Sequence, residues 1–386
     1  MKEGINNPRA EINAIDAELL RLLNNRVEIA LKVGEVKKRD DVSLCDPNRE
    51  QEVLERLCAE NTGPLSEQNV TSIFQRIMDE CLHAQQLAFN SSAENANQKE
   101  VKLTGFLENA RTAFLGEHGS FSEEAAIRLL GENCRPVSRP TFEELFTAVE
   151  EGSADYILAP LENSLVGAVH RTYDLLLESS LSIAAEIICP ISHFLIGCRG
   201  ATLDSIEIVE SHPVALAQCG SFFASRPHIM KAVANDTASS VRRVVEGKDP
   251  KRAAIAGRRA AEIYGGVILR EHLEDHAENF TRFVLLAPNA DVSNQGNKIS
   301  LMVRLPNRPG ALHDALRPFV RRAIDLLKIE GRPIKGRPWQ YNFFLDLQLP
   351  ASQSELRGAL DEIREHAEEL RYLGQYSSVN ISDNKQ

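Results

Sequence analysis

The sequence predicts a multidomain α and α/β protein in three parts: an all-helical module, an α/β module with parallel strands, and a βαββαβ module. Three observations predict it. Apolar residues between Glu11 and Lys38 recur at helical spacing with no interrupting proline. From Arg111 to Pro288, short apolar runs alternate with helical ones. Two polar stretches, Asn90 to Gln98 and Asn289 to Asn297, separate these patterns from each other and from a C-terminal strand and helix series. The expected divisions are 1–90, a linker at 91–107, 108–290 and 297–380.

Composition sets the outer limits. A chain of 386 residues with 43% hydrophobic and 26% charged residues is neither disordered, collagenous nor membrane-spanning in character, and its length suits two or three domains. Its formal net charge of -11 argues against a nucleic-acid partner held by a broadly basic surface. An anionic ligand must therefore be met by local cations. The first residues lack a basic-then-apolar leader and no apolar run approaches the roughly 20 residues of a membrane span, so a cytoplasmic location is expected. Seven scattered cysteines with no C-x-x-C pair predict reduced thiols rather than disulfides or a zinc site. No glycine-rich nucleotide loop, H-E-x-x-H or G-x-S-x-G is present, and no cofactor or metal is expected.

In the helical module, Ile12, Ile15, Leu19, Leu22, Ile29, Val33 and Val36 mark one long amphipathic helix. A second helix starts at Asp46-Pro47, an N-cap followed by a good first residue, and runs to about Glu60. Val70, Ile73, Ile77, Cys81 and Ala84 write a third. Helices of such unequal length make a thin core alone, so dimerisation is expected. Arg26 and Lys37 fall on the apolar stripe of the first helix, where an unpaired cation is costly. Either Arg26 pairs with a carboxylate of another helix or snorkels outward, or the bundle holds an anion pocket that Arg49 and Arg9 complete. Cys81 and Gln85 lie one turn apart and offer polar groups to such a pocket; Asp46 reads first as a cap.

These residues resemble the all-helical chorismate mutase family over positions 9 to 86: Arg9, Arg26, Val33 to Lys37, Asp46 to Glu50, and Phe74-Gln75 through Gln85-Gln86. The resemblance implies that Arg9, Arg26 and Arg49 hold the carboxylates of chorismate, Arg9 reaching across from a partner subunit. It also implies that Lys37 and Gln85 donate to the ether oxygen, with Asp46 and Glu50 near the ring hydroxyl. Cys81 stands where the family often has a small hydroxyl residue. Such a rearrangement needs no nucleophile or proton shuttle, only a compact conformer and stabilised charge on the breaking bond.

In the central module, strands are expected at Thr112 to Leu115, Tyr156 to Leu161, Ile206 to Val209, Ile229 to Ala234, Ala253 to Ala256 and Phe283 to Leu286. Helices are expected at Phe142 to Glu151 and Val214 to Ala224. Polar turns follow several strands, where α/β sheets place ligands: Pro160 to Ser164, Glu210 to Pro213 and Asn235 to Ser239, while Asn279 to Phe283 leads into the last strand. Singly, Ser164 and Ser239 read as caps, and His212 reads as a turn-shaping residue or an acid.

In this order the segments resemble prephenate dehydratase over about 175 residues, although the opening loop Gly116 to Phe121 lacks the usual Pro and Thr. The resemblance implies a two-lobed α/β domain built like periplasmic binding proteins. Thr281 would be the principal catalytic hydroxyl, Glu162, Asn163, Ser211, Gln218 and Thr237 would line the cleft, and Arg282 would orient the pyruvyl carboxylate.

The C-terminal order is strand (Ile299 to Leu305), helix (Gly310 to Arg321), strand (Leu326 to Ile329), strand (Tyr341 to Leu349), helix (Ser354 to Leu370) and a short strand at Leu373 to Ser377. That order is ferredoxin-like. It resembles an ACT domain, which implies a phenylalanine site made by Gly310, Ala311 and Leu312 with the loop Glu330, Gly331, Arg332 and Pro333. Gly331 replaces a usual Ser, and Arg321 to Asp325 replace a Gly-containing turn. The leading expectation is a bifunctional, phenylalanine-regulated enzyme acting on chorismate and prephenate as a homodimer or higher oligomer. Its rivals are a monofunctional dehydratase with helices used only for dimerisation and a two-lobed small-molecule binding protein.

Overall fold

A computed structural model describes residues 3–40, 44–90, 109–131, 134–288, 296–350 and 353–380. The expected linker at 91–107 and most of the second polar break lie outside them. In chain order the elements are α1 (Glu3–Arg39), α2 (Pro47–Glu60), α3 (Glu67–Asn90), β1 (Arg111–Leu115), α4 (Phe121–Leu130), β2 (Arg135–Arg139), α5 (Phe142–Thr147), β3 (Tyr156–Asn163) and β4 (Gly167–Ala168). There follow α6 (His170–Glu178), β5 (Leu181–Pro190), β6 (Phe194–Gly197), β7 (Ile208–Ser211), α7 (Pro213–Gln218), α8 (Gly220–Ala224), β8 (Met230–Val233), α9 (Thr237–Gly247), β9 (Arg252–Ala256), α10 (Arg258–Tyr264), β10 (Val267–Arg270) and β11 (Phe280–Pro288). The last elements are β12 (Lys298–Arg304), α11 (Ala311–Arg321), β13 (Leu326–Pro333), β14 (Tyr341–Gln348), α12 (Gln353–His366), β15 (Glu369–Tyr376) and β16 (Ser378–Asn380).

These elements form two compact units. The described residues within Met1–Lys99, Arg304–Leu326 and Gln348–Leu370 make the first; those within Glu100–Val303, Leu327–Leu347 and Arg371–Gln386 make the second. The βαββαβ series is thus divided, its helices going to the first unit and most of its strand residues to the second.

In the first unit α1 and α2 pack on α3, and α11 packs on α12 and α3. Asp46 caps α2 by accepting from the Arg49 amide at 3.1 Å. The long first helix is present, but it begins at Glu3 rather than Glu11 and tolerates Pro8 near its start, where few ladder bonds are lost. Its apolar stripe is not covered within the chain: Ile12, Ile15 and Ile29 are each more than half exposed. At 37 residues α1 is about 55 Å long, whereas the 24 residues of α3 span about 36 Å. One short neighbour cannot cover it.

The second unit holds three sheets. The first runs β16-β5-β11-β3-β1-β2, with β4 paired to β3, and the second runs β10-β6-β9-β7-β8. Both are mixed rather than parallel. β1 lies parallel to β2 and β3, and β7 parallel to β8 and β9, but β11 runs antiparallel to both β3 and β5, and β6 antiparallel to β9. The long strands β5 and β11, where the chain leaves and re-enters the first sheet, impose the reversal. Alternation then divides the core between sheet faces: Ile157, Ala159, Val284 and Leu286 join one cluster, and Tyr156, Leu158, Phe283 and Leu285 the other. The third sheet has the order β13-β14-β12-β15. Glu330 to Pro333, expected as a loop, continue β13, where Arg332 pairs with Asp174 at 3.1 Å and Glu330 lies 3.5 Å from His170. The expected helix to Leu370 stops at His366, because Glu369 and Leu370 open β15.

A buried ionic cluster joins the first and third sheets of this unit. Arg282 of β11 donates from Nε to Glu186 at 2.5 Å, from Nη1 to Asp346 at 2.6 Å and from Nη2 to the Tyr376 hydroxyl at 3.0 Å. Lys298 bonds Glu186 at 2.9 Å, and Ser300 bonds both Asp346 and Tyr376. Two cations thus meet two carboxylates away from water, a set that is costly to break at one member. Burial works against ionisation of Asp346, yet Arg282 and Lys298 hold its carboxyl below the usual carboxylate range.

Asp346→Ala is expected to destabilise the second unit by about 3–5 kcal/mol, read as a lower denaturant midpoint for its unfolding transition. The depressed Asp346 titration adds a sign. Its stabilisation is present above the unfolded-state value of about 3.9 and is lost as pH falls through the lower folded value, so acid unfolding of the wild type begins below about pH 4.

Two candidate active sites

The first site is a cavity of about 180 Å³ inside the helical unit. Arg26, Ala30 and Lys37 of α1, Leu44, Asp46, Arg49, Glu50 and Val53 around the start of α2, and Met78, Cys81, Leu82 and Gln85 of α3 line it. Eleven residues are three helical turns, so Arg26 and Lys37 share a face. Cys81 and Gln85, four residues or about one turn apart, share the facing stripe of α3.

Arg26 donates to the Cys81 sulfur at 2.8 Å, Lys37 to the Leu44 carbonyl at 3.0 Å, and Gln85 to the Ala30 carbonyl. Among the described residues no carboxylate forms an ion pair with Arg26 or Lys37. Asp46 and Glu50 line the same cavity, but neither is ion-paired to Arg26 or Lys37, and two such cations favour the anion pocket over the paired-cation reading. Arg49 lines the cavity while also bonding Glu52 at 2.7 Å on the exposed side. Asp46 acts as the N-cap and borders the cavity as well. Arg9 is not brought in: it is exposed on α1, about 25 Å of helix from Arg26.

Glu50 has an unanticipated partner. Its carboxylate accepts from Arg321 at the end of α11, beside Asp79 and Glu362. Burial pushes the Glu50 carboxyl above its ordinary value, with Arg321 opposing and Asp79 and Glu362 adding to the rise. Sequence spacing gives no sign of a contact 271 positions apart.

The second site lies where the chain crosses between the first two sheets of the other unit. β11 pairs Thr281 with Asn163 on one side and with Cys189 on the other. Asn163 Nδ2 lies 3.0 Å from Thr281 Oγ1, 3.1 Å from the Phe280 carbonyl and 2.8 Å from Asn279 Oδ1, so its two hydrogens are shared among three acceptors. Asn279 Nδ2 donates to Gln218 Oε1 at 3.2 Å, and His193 Nε2 lies 2.8 Å from the same oxygen. Asn163, Gln218 and Thr281 are therefore brought together as expected.

Other expected members are not. Glu162 and Arg282 are register partners on the opposite face from Asn163 and Thr281. Glu162 pairs there with Lys328 at 2.5 Å, and Arg282 is committed to the buried ionic cluster, which removes it from carboxylate orientation. Ser211 is fully buried, its hydroxyl donating to the Ile255 carbonyl at 2.6 Å, so it ties β7 to β9. Thr237 opens α9, which Asp236 caps through the Ser239 amide. His212 caps α7 by accepting from the Val214 amide, the turn-shaping role. Ser164 bonds the Phe280 amide and the Glu278 carbonyl instead of capping a helix.

His193 is not named from the sequence, and Asn279 has no role there beyond opening the segment Asn279 to Phe283. Both sit at crossovers between the two sheets, His193 between β5 and β6 and Asn279 just before β11. The available signal was a polar residue in each short connection, and Asn279 stands two residues before Thr281, hence on its face. In the opening loop, Gly119 has φ of 88°, and a Cβ there would lie 2.8 Å from Ala260 Cα, so only glycine fits.

Comparison with known proteins assigns a family to each of the two segments that carry these candidate sites. The family model for chorismate mutase type II matches residues 8–86, and that for prephenate dehydratase matches residues 112–291. A bifunctional chorismate mutase/prephenate dehydratase of Neisseria gonorrhoeae is 36% identical over 372 residues, covering 96% of each chain. The chain belongs to the bifunctional chorismate mutase/prephenate dehydratase family. A second member, from Escherichia coli, is 33% identical and covers 97% of this chain and 96% of its own. Among solved structures, a prephenate dehydratase from Arthrobacter aurescens in complex with L-Phe is 29% identical, with a TM-score of 0.64 over 72% of this chain and 91% of that one. Membership explains why two chemically unrelated sites occupy separate units.

Removing Arg321 tests the Glu50 contact. Arg321→Met is expected to raise the Glu50 titration further, followed by 13C NMR of labelled glutamate carboxyls with Glu50→Gln assigning the signal. An unchanged titration would refute the pairing.

Proposed function

We propose that the chain rearranges chorismate to prephenate in the helical cavity and then converts prephenate to phenylpyruvate, with loss of water and CO2, at the Thr281 cluster. The observation that carries the first half is the pair Arg26 and Lys37 facing one cavity with no carboxylate bound to either. Arg26 and Arg49 meet the substrate carboxylates, and Lys37 and Gln85 donate to the ether oxygen as its bond to carbon breaks. Arg49 exchanges Glu52 for the substrate, and Glu50 and Asp46 face the ring hydroxyl. Arg9 acts from a second copy. The uncovered apolar face of α1 supports that homodimer, because a second α1 supplies the length that α3 lacks.

The second half rests on the hydrogen-bond balance at Thr281. Its oxygen accepts from Asn163, so its own hydrogen is left to donate. In prephenate the ring carboxylate leaves as CO2, its electron pair enters the ring, and the ring hydroxyl departs with a proton. A donor aimed at that hydroxyl accelerates the step. Bonding from Asn163 polarises the Thr281 hydroxyl and strengthens it as a donor. Gln218 offers its amide hydrogens to a carboxylate. Thr237 stays a secondary contact, whereas Glu162, Arg282 and Ser211 serve the scaffold.

The C-terminal series 297–380 is read as an ACT-type regulatory domain for phenylalanine. The βαββαβ order supports this, as does the Gly310 turn, which has φ of 82° at the start of α11. Gly310, Ala311 and Leu312 and the segment Glu330 to Pro333 are kept as its effector residues. A cytoplasmic location belongs to the same reading; among the described residues no helix is long and apolar enough to cross a membrane.

An ultraviolet assay with purified protein separates the halves. Arg26→Ala is expected to lower chorismate turnover by about a hundredfold or more while prephenate turnover persists, and Thr281→Ala to do the reverse. Consumption of prephenate alone by the wild type would leave a dehydratase with non-catalytic helices. Phenylalanine at millimolar concentration should slow phenylpyruvate formation, and calorimetry showing no binding would exclude the regulatory role.

A further inference from the structure

Amide and imidazole orientations are normally ambiguous, but at the Thr281 cluster they are fixed by groups with only one role. The backbone amides of Leu165 and Val166 donate to Asn163 Oδ1 at 3.1 and 3.0 Å, and the Phe280 carbonyl accepts from Asn163 Nδ2. Asn163 is therefore pinned. Its Nδ2 faces Asn279 Oδ1, so Asn279 presents Nδ2 to Gln218, and Gln218 must answer with Oε1. His193 Nε2 meets that same oxygen and must carry a hydrogen.

We propose that His193, held as the neutral Nε2–H tautomer, is a positioning residue for prephenate dehydration that sets the rotation of Gln218. The proposal rests on the Thr281 site assigned above. With Oε1 of Gln218 turned toward His193 and Asn279, its amide hydrogens are left for the carboxylate of an anionic substrate. The other tautomer sets a lone pair against Gln218 Oε1. Rotating Gln218 to relieve that contact turns its oxygen toward the ligand and its amide nitrogen onto Asn279 Nδ2, donor against donor. Asn279 cannot rotate in turn, because Asn163 is pinned by backbone.

The ring itself is held from several sides. His193 is 2% exposed, its backbone amide donates to Glu274 at 2.7 Å, and its carbonyl accepts from Leu273 at 2.9 Å. Phe121 packs against it with the two rings near perpendicular, and Nδ1 is buried with no hydrogen-bond partner among the described residues. An added proton at Nδ1 would therefore be unsatisfied. Burial pushes the imidazole below its ordinary value, while the Gln218 bond and the Glu274 carboxylate, itself contacted by His272 at 3.3 Å, oppose it. The neutral relay is present above the ordinary imidazole range and is lost as pH falls through the lower folded value.

The test compares His193→Met, His193→Gln and Asn279→Asp in the full chain, with prephenate kinetics between about pH 5 and 9. Chorismate turnover of the same preparations reports integrity, since no altered residue lines the helical cavity. His193→Met is expected to lower the dehydratase kcat by about tenfold to a hundredfold, and Asn279→Asp, which can no longer donate to Gln218, to do likewise. His193→Gln, whose amide places a donor near the Nε2 position, should restore most of the rate and abolish the acid limb that His193 gives the wild type. Imidazole 15N spectra at neutral pH should show a protonated Nε2 and an unprotonated Nδ1. A protonated Nδ1, or a wild-type kcat in His193→Met when Thr281→Ala is inactive, overturns the proposal alone. An active Thr281→Ala overturns it together with the site assignment.

Discussion

Strand β11 is hydrogen-bonded along both edges, to β3 and to β5, and that double pairing is the constraint on which the dehydratase unit depends. Adjacent residues of one strand point to opposite faces, so a slip of one position would exchange Thr281 and Arg282. In the observed register Thr281 reaches the polar relay and Arg282 the buried ionic cluster. The two neighbours do opposite work. One needs an uncommitted hydrogen, the other has every donor group engaged.

The same constraint explains what the sequence revealed and what it concealed. Asn163, Gln218 and Thr281 were legible because each stands in a polar turn or at its edge, beside a strand end. Glu162 and Arg282 stand in the same turns but on the wrong face, and face follows from register, which a partner strand sets. Ser211 failed differently: its position at a strand end was right, but its hydroxyl bonds a neighbouring strand. Motif order located the site; hydrogen-bond partners decided its members.

In the helical unit, local rules carried further. Helical spacing placed Arg26, Lys37, Cys81 and Gln85 around one cavity, and the Asp46 cap fixed where α2 begins. Periodicity could not tell an apolar face covered by its own chain from one left open, and α1 has the latter. Nor could it anticipate Arg321, which reaches Glu50 from α11 and rewrites the electrostatics of an acid that the pattern placed correctly.

The division of the C-terminal series has a consequence for how the protein can be taken apart. The backbone passes from one compact unit to the other between α3 and β1 and again after Val303, Leu326, Leu347 and Leu370. Even a cut at the first of these passages separates the first unit from α11 and α12. A cut after Val303, Leu326 or Leu347 leaves both units missing helices or strands, and a cut after Leu370 takes most of β15 and all of β16 from the second unit. The mutase helices and the dehydratase sheets are therefore stitched by a chain that crosses between the units five times, and neither unit can be expressed whole as one uninterrupted segment of its own.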